Sequence, residues 1–233
     1  MPIAEYFHSF MPKIRALLAS SDQPDSFGYA MRNKRFQVFE ALIQKNFPNG
    51  KVIKVLDVGG TAYFWKDREM VKSGKLQITL LNLEEEKNLS NGIKSMAGNA
   101  TDLSMFEENH FDLVFSNSVI EHLYTWENQQ KMARECQRIC KKYFIQTPNK
   151  HFFVEAHYAI PFIQYMPKRL TYSILTKTRL SRLRKWEPQD AQQYLDEIRL
   201  INKREMQELF PDAKIYHEKM LGMTKSFTAH NMG

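Results

Sequence analysis

Two cysteines stand among 233 residues, and they lie four positions apart, at Cys136 and Cys140. That scarcity excludes a disulfide framework and leaves no third thiolate to complete a structural zinc site. Both read as small buried residues on one face of a predicted helix. Glycine and proline number nine each, too few for a fibrous or low-complexity chain. No stretch approaches the roughly 18 to 20 apolar residues of a membrane span. The opening MPIAEYFHSFMPKIRALLAS carries Glu5, His8, Lys13 and Arg15, so it lacks the uninterrupted apolar run of a secretory signal. No internal repeat is visible. A single cytoplasmic domain over 1–233 is the expectation.

Hydrophobic residues make up 43% and charged residues 25%, and the formal charge is +7. Much of that charge is concentrated. Between Lys168 and Lys185 seven residues are Lys or Arg and none is acidic, with Leu170, Tyr172, Ile174, Leu175, Leu180, Leu183 and Trp186 interleaved. The pattern predicts a basic amphipathic helix or helix pair, with three uses open. It suits peripheral contact with an anionic membrane through 168–186, a phosphorylated or nucleic-acid substrate, or a solvated helical lid. No recognised nucleic-acid module accompanies it.

The stretch Lys51–Trp65, KVIKVLDVGGTAYFW, reads as a buried strand breaking into a glycine turn and then a helix. Asp57 ends the apolar run and Gly59 and Gly60 follow. Such a junction lets the main chain approach a ligand, because no Cβ intervenes and the opening turn of the helix offers unpaired N–H groups. A dinucleotide loop would need glycine at 61 and 64, where Thr61 and Phe64 stand. Helices are predicted over 3–20 and 29–47, the second with Phe36, Phe39, Leu42, Ile43 and Phe47 at helical spacing. Further along come a helix at 62–72, strands at 76–83, 93–97, 111–115 and 143–147, and a helix at 126–142. In the tail a helix at 202–210, capped by Asn202, precedes a hairpin of 213–219 with 225–230.

Taken together these pieces resemble the class I S-adenosylmethionine-dependent methyltransferases, in particular the methyltransferase type 11 group. D-V-G-G-T-A-Y is similar to their D-x-G-x-G-x-G motif with only the first glycine, Gly59, kept. Asn82 stands where an acid binds the ribose, and Gly98-Asn99-Ala100-Thr101-Asp102-Leu103 resembles their G-D-A-x-D-L segment. Phe111–Leu123, FDLVFSNSVIEHL, resembles the motif after their fourth strand. The resemblance implies a seven-stranded, mostly parallel Rossmann-like α/β sheet with an antiparallel last strand. To this it adds N-terminal helices over 1–50 and a helical lid inserted at 150–200. It implies S-adenosylmethionine as cofactor and S-adenosylhomocysteine as product. Asp57, Gly59, Gly60, Thr61, Asn82, Leu83, Asn99, Ala100, Ser116 and Asn117 would bind it.

Methyl transfer to a hydroxyl or amine gains from a nearby base. His122 is the first candidate and Glu121 its neighbour; Glu155 and His157, spaced i, i+2, form a second acid–histidine pair that can converge on the same crevice. Some relatives bind a divalent cation through E-x-x-E-H, but Ser118 stands at the first position of that motif, so a metal is not favoured. The expected acceptor is a small molecule, a glycan or a lipid-linked compound, methylated at oxygen or nitrogen. The competing expectation is a non-catalytic methyltransferase-like binding protein, and a nicotinamide dehydrogenase is a distant third. The oligomeric state does not follow from the sequence.

Overall fold

The structure, a computed structural model, describes residues 27–48 and 50–233. The helix expected at 3–20 lies outside the described residues. The described chain forms two compact units, the smaller made of 27–43 and 153–192, the larger of 44–152 and 193–233.

Helix α1 (Phe27–Asn46) opens the description. Met31, Arg35, Phe36, Phe39 and Ile43 are buried along it, a stripe at helical spacing. The larger unit then builds its sheet from β1 (Ile53–Val58), β2 (Leu76–Asn82), β3 (Ile93–Ala97), β4 (Phe111–Asn117), β5 (Cys140–Pro148), β6 (Lys214–Met220) and β7 (Met223–His230). The strand order is β3-β2-β1-β4-β5-β7-β6. The first five strands are parallel, and β7 runs antiparallel to both β5 and β6. This is the Rossmann-like methyltransferase sheet expected from the sequence. Between β1 and β4 the chain changes direction across the sheet, the switch point at which open α/β sheets form a ligand crevice.

Burial explains why these segments are strands. Ile53, Val55, Leu56 and Val58 are each at most 1% exposed, as a strand paired on both edges and covered on both faces requires. Helix α4 (Trp126–Ile139) buries Met132, Ala133, Cys136 and Ile139 at positions i, i+1, i+4 and i+7 in the same core as Val114 and Ile145 of the sheet. Thr125 caps its start, its hydroxyl accepting from the N–H of Asn128 at 3.2 Å. Short helix α7 (Lys203–Leu209) adds Met206 and Leu209 to that core.

Two expectations are corrected. The helix predicted at 62–72 is two single turns, α2 (Ala62–Trp65) and α3 (Glu69–Lys72), because Arg68 adopts an extended conformation and its Nε donates back to Phe64 O at 3.1 Å. Cys140 is not helical. It opens β5 opposite Phe111, three residues earlier than expected, while its Sγ donates to Cys136 O at 2.9 Å. Both thiols are free and buried, and burial pushes both upward in pKa, Cys140 to about 12, so neither is a ready thiolate. The insertion supplies helices α5 (Lys168–Lys177) and α6 (Pro188–Glu197). No helix among the described residues is long and apolar enough to cross a membrane.

The cap of α7 is reciprocal. Asn202 Oδ1 accepts from the N–H of Glu205 at 3.0 Å, and Glu205 Oε2 accepts from the N–H of Asn202 at 2.9 Å. Replacing Asn202 with Ala removes one half of this box. The expected cost is about 1 kcal/mol, a fall in Tm of about 2–4 °C, readable by thermal melting; an unchanged Tm would show that the helix is held by its core contacts alone.

Candidate active site

The turn after β1 is shaped by one buried carboxylate. Asp57 is 1% exposed, and its Oδ2 accepts from the indole N–H of Trp65 at 2.6 Å. Its Oδ1 has no hydrogen-bond partner among the described residues. Burial raises its pKa to about 7 against the opposing effect of the Trp65 bond. A Cβ on Gly60 would lie 1.6 Å from Asp57 Oδ2, so only glycine lets the chain pass over this group. Gly59 has φ +75°, and a Cβ there would come 2.4 Å from Val119 Cγ2. Both glycines of D-V-G-G are therefore required by neighbouring side chains, independently of any ligand.

Trp65 in turn packs edge-on against Phe115 of β4, with ring centroids 5.1 Å apart, and Phe64 stacks on the same ring at 5.6 Å. Thr61 is exposed and makes no side-chain cap to α2. The N–H of Ala62 is taken instead by Glu86 Oε2 at 2.9 Å. Glu86 escapes sequence reasoning because it sits in an irregular polar stretch 24 residues from its partner.

At the end of β2, Asn82 donates its amide to Gly60 O at 2.8 Å, which ties the strand end to the turn and leaves Oδ1 as an acceptor. Leu83 beside it is 83% exposed. After β3, Asn99 Oδ1 accepts from both the N–H and the hydroxyl of Thr101, each at 2.9 Å. With both lone pairs engaged, Asn99 offers its Nδ2 protons to a ligand. Ala100 is partly buried, and Met105, half exposed, reaches over Gly98 with Cε 3.3 Å from where a Cβ would stand. Ser116 is fully buried and donates to Val58 O at 3.1 Å, so it fastens β4 to β1; Asn117 is partly buried at the end of β4.

Beyond β4 the chain takes a left-handed residue, Ser118 at φ 61°, which donates its hydroxyl to Gln146 Oε1 at 2.9 Å. A short 3₁₀ turn, Ile120–His122, follows. His122 Nδ1 lies 2.7 Å from Glu197 Oε1, and Tyr194 stands edge-on to the imidazole at 6.3 Å. Glu121 is fully buried, with its carboxylate accepting from Thr147 Oγ1 at 3.0 Å. Arg199 holds this turn in place. Its N–H donates to Glu121 O at 2.7 Å, and its guanidinium donates to Gln129 Oε1 and Glu205 Oε1, both at 2.7 Å, while lying 4.8 Å above the Trp126 ring. Glu197 and Arg199 were not legible as site residues, since 75 positions separate Glu197 from His122.

Glu155 and His157 belong to the smaller unit. Glu155 is 3% exposed; its Oε1 lies 2.6 Å from His157 Nδ1, and its Oε2 accepts from the N–H groups of His157 and Tyr158 at 2.8 and 2.7 Å. Three contacts to its own next turn make Glu155 a loop anchor, and it orients His157 as Glu197 orients His122.

The comparisons agree with this geometry. Residues 67–143, from just after the glycine turn into β5, match the family described as methyltransferase domain. The CurJ carbon methyltransferase superposes with a TM-score of 0.54 at 10% identity, over 88% of this chain and 55% of that one. A Rhodobacter sphaeroides chain described as a Zn-dependent alcohol dehydrogenase gives 0.50 at 10% identity, over 82% and 86%. An S-adenosylmethionine-dependent methyltransferase from Methanosarcina mazei gives 0.48 at 11%, over 83% and 95%. Three further matched structures are longer, and the chain spans 48%, 57% and 64% of them. No curated protein matches the sequence. The family match over residues 67–143 and the superposition on the CurJ carbon methyltransferase show that this chain shares the methyltransferase fold.

The Asp57 site makes two expectations. Gly60→Ala should unfold or markedly destabilise the protein, because the new methyl meets a buried carboxylate; a wild-type melting profile would mean that Asp57 can leave. Asp57 has a folded pKa near 7 against 3.8 ordinarily, so folding favours its protonated form and stability falls as pH rises between those values. Asp57→Asn, which keeps the acceptor for Trp65, should flatten that fall by an amount on the order of a few kcal/mol in urea titrations from pH 5 to 8. Parallel profiles for the two proteins would contradict the assignment.

Proposed function

We propose that the protein transfers a methyl group from S-adenosylmethionine to oxygen or nitrogen of a small-molecule, glycan or lipid-linked acceptor. The observation that carries this reading is the His122–Glu197 pair placed just beyond β4, beside the switch point of a methyltransferase sheet. With Nδ1–H donating to Glu197, the lone pair of His122 lies on Nε2, the arrangement of a base ready to take a proton. Hydroxyl and amine nucleophiles need that service.

The residues at the strand ends suit an adenosyl group. Leu83 and Met105 present apolar surface at the ends of β2 and β3, Asn82 Oδ1 can accept from a ribose hydroxyl, and Asn99 Nδ2 can donate to a ring nitrogen. Gly59, Gly60 and Thr61 shape the turn beside them, with Asp57 acting from beneath it. When bound, S-adenosylmethionine supplies an electrophilic methyl on sulfur. The chain's own work is to hold the acceptor in line, exclude water and remove its proton at His122, whose tautomer Glu197 fixes. A divalent cation forms no part of this reading.

A second reading, a binding protein without turnover, is favoured by one feature: Thr61 and Tyr63 occupy two of the three glycine positions of the family's motif. Calorimetric titration with S-adenosylmethionine and S-adenosylhomocysteine is the decisive test. Micromolar binding of both, with methyl transfer to a hydroxyl- or amine-bearing acceptor, is the expected result; binding without transfer, or no binding of either, overturns it and selects the second reading.

Two variants sharpen it. His122→Ala should lower turnover about 10²- to 10⁴-fold with cofactor affinity unchanged; undiminished turnover would remove His122 as the base. Asn82→Asp should weaken cofactor binding about tenfold, because a carboxylate would face Gly60 O where the amide now donates. Tighter binding by that variant would mean that the ribose, and not the turn, governs position 82.

A further inference from the structure

The smaller unit carries an apolar and cationic surface that the methyl-transfer reading does not use. Six of the thirteen exposed large apolar side chains among the described residues fall between Phe162 and Leu183: Phe162, Tyr165, Met166, Leu170, Leu180 and Leu183. No Asp or Glu occurs from Ala156 to Trp186, while Arg169, Lys177, Arg179, Arg184 and Lys185 are all exposed.

The local structure holds these side chains outward. Helix α5 buries Thr171 and Leu175 and leaves Leu170 49% exposed, with Arg169 and Lys177 at its two ends. After it the chain turns through Arg182 at φ 49° and Leu183 at φ 60°, a left-handed conformation that a branched apolar residue adopts at a cost. Anchors on both sides impose it. The Ser181 hydroxyl donates to Tyr158 O at 2.7 Å and accepts from the Trp186 indole at 2.8 Å; the N–H of Trp186 donates to Leu175 O at 3.0 Å; Arg182 Nη2 donates to Ala156 O at 2.9 Å. Ser181 is fully buried and Trp186 nearly so, whereas Leu180 and Leu183 are 65% and 70% exposed. The turn is thus clamped from within, and its leucines stand in water.

We propose that this face docks on an anionic lipid surface. Leucine, phenylalanine and tyrosine side chains flanked by arginine and lysine match the boundary between acyl chains and negatively charged headgroups. Four of the six exposed apolar side chains, Met166, Leu170, Leu180 and Leu183, are aliphatic and suit acyl chains better than base stacking. The proposal stands apart from methyl transfer, and its readout needs neither cofactor nor acceptor.

The test is co-sedimentation of the full chain with vesicles of phosphatidylcholine alone and of phosphatidylcholine with phosphatidylglycerol. Binding should be confined to the anionic vesicles and should weaken as salt rises. The double variant Leu180→Glu with Leu183→Glu, and separately Arg179→Glu with Lys185→Glu, should each weaken it about tenfold or more while retaining the wild-type melting temperature. The proposal is overturned by absence of sedimentation of the folded protein, by equal binding to neutral vesicles, or by unchanged binding of both variants. It is equally overturned if single-stranded or duplex RNA binds as tightly as the anionic vesicles, or if the same leucines seal a concentration-dependent dimer that ignores vesicles.

Discussion

The carboxylate of Asp57 and the missing side chain of Gly60 claim the same space, and the glycine turn depends on that exclusion. A buried acid at the end of a central strand is costly unless it is bonded or neutral. Here the Trp65 indole satisfies one oxygen, and burial raises the group's pKa to about 7. Trp65, the last residue of α2, reaches Asp57, and its ring leans on Phe115 of β4. One interaction therefore sets the turn and links two neighbouring strands, β1 and β4. Variation at Thr61 and Tyr63 is tolerated by this arrangement, because the glycines that it needs for its own packing are Gly59 and Gly60.

The candidate base is organised by long-range contacts of another kind. The last residue of α6 and the residues after it lie against the turn after β4: Glu197 on His122, Arg199 on Glu121 O, Gln129 and Glu205. Gln129 Nε2 reciprocates by donating to Ile120 O at 2.9 Å and Arg199 O at 2.8 Å. Buried polar groups joined so completely have few alternative arrangements. In the smaller unit Glu155 orders its own loop and orients His157 with contacts spanning only two or three residues. Two histidines are thus oriented by carboxylates through opposite means, one by distant chain and one by its own turn.

Much of the fold was written in local pattern. The apolar run before Asp57 marked β1, the spacing of Phe36, Phe39, Ile43 and Phe47 marked α1, and Asn202 marked the start of α7. These are signals of period and capping, carried by neighbouring residues. The break between α2 and α3 and the strand character of Cys140 were not legible, since the first turns on the extended backbone of Arg68 and the second on pairing with Phe111 in β4.

For the site, the sequence alone determined which strand ends carry polar groups and that Gly59 and Gly60 must lie in a tight turn. The tertiary structure decided what those groups can do. It spent the Asn82 amide on Gly60 O and both lone pairs of Asn99 on Thr101, leaving Asn82 an acceptor and Asn99 a donor for a ligand. It buried Ser116 between two strands, gave His122 its acid from position 197, and turned Leu180 and Leu183 outward around a clamped Ser181. The reason is physical: a residue's type sets the bonds it can make, and only the folded neighbours decide which of those bonds remain for a ligand.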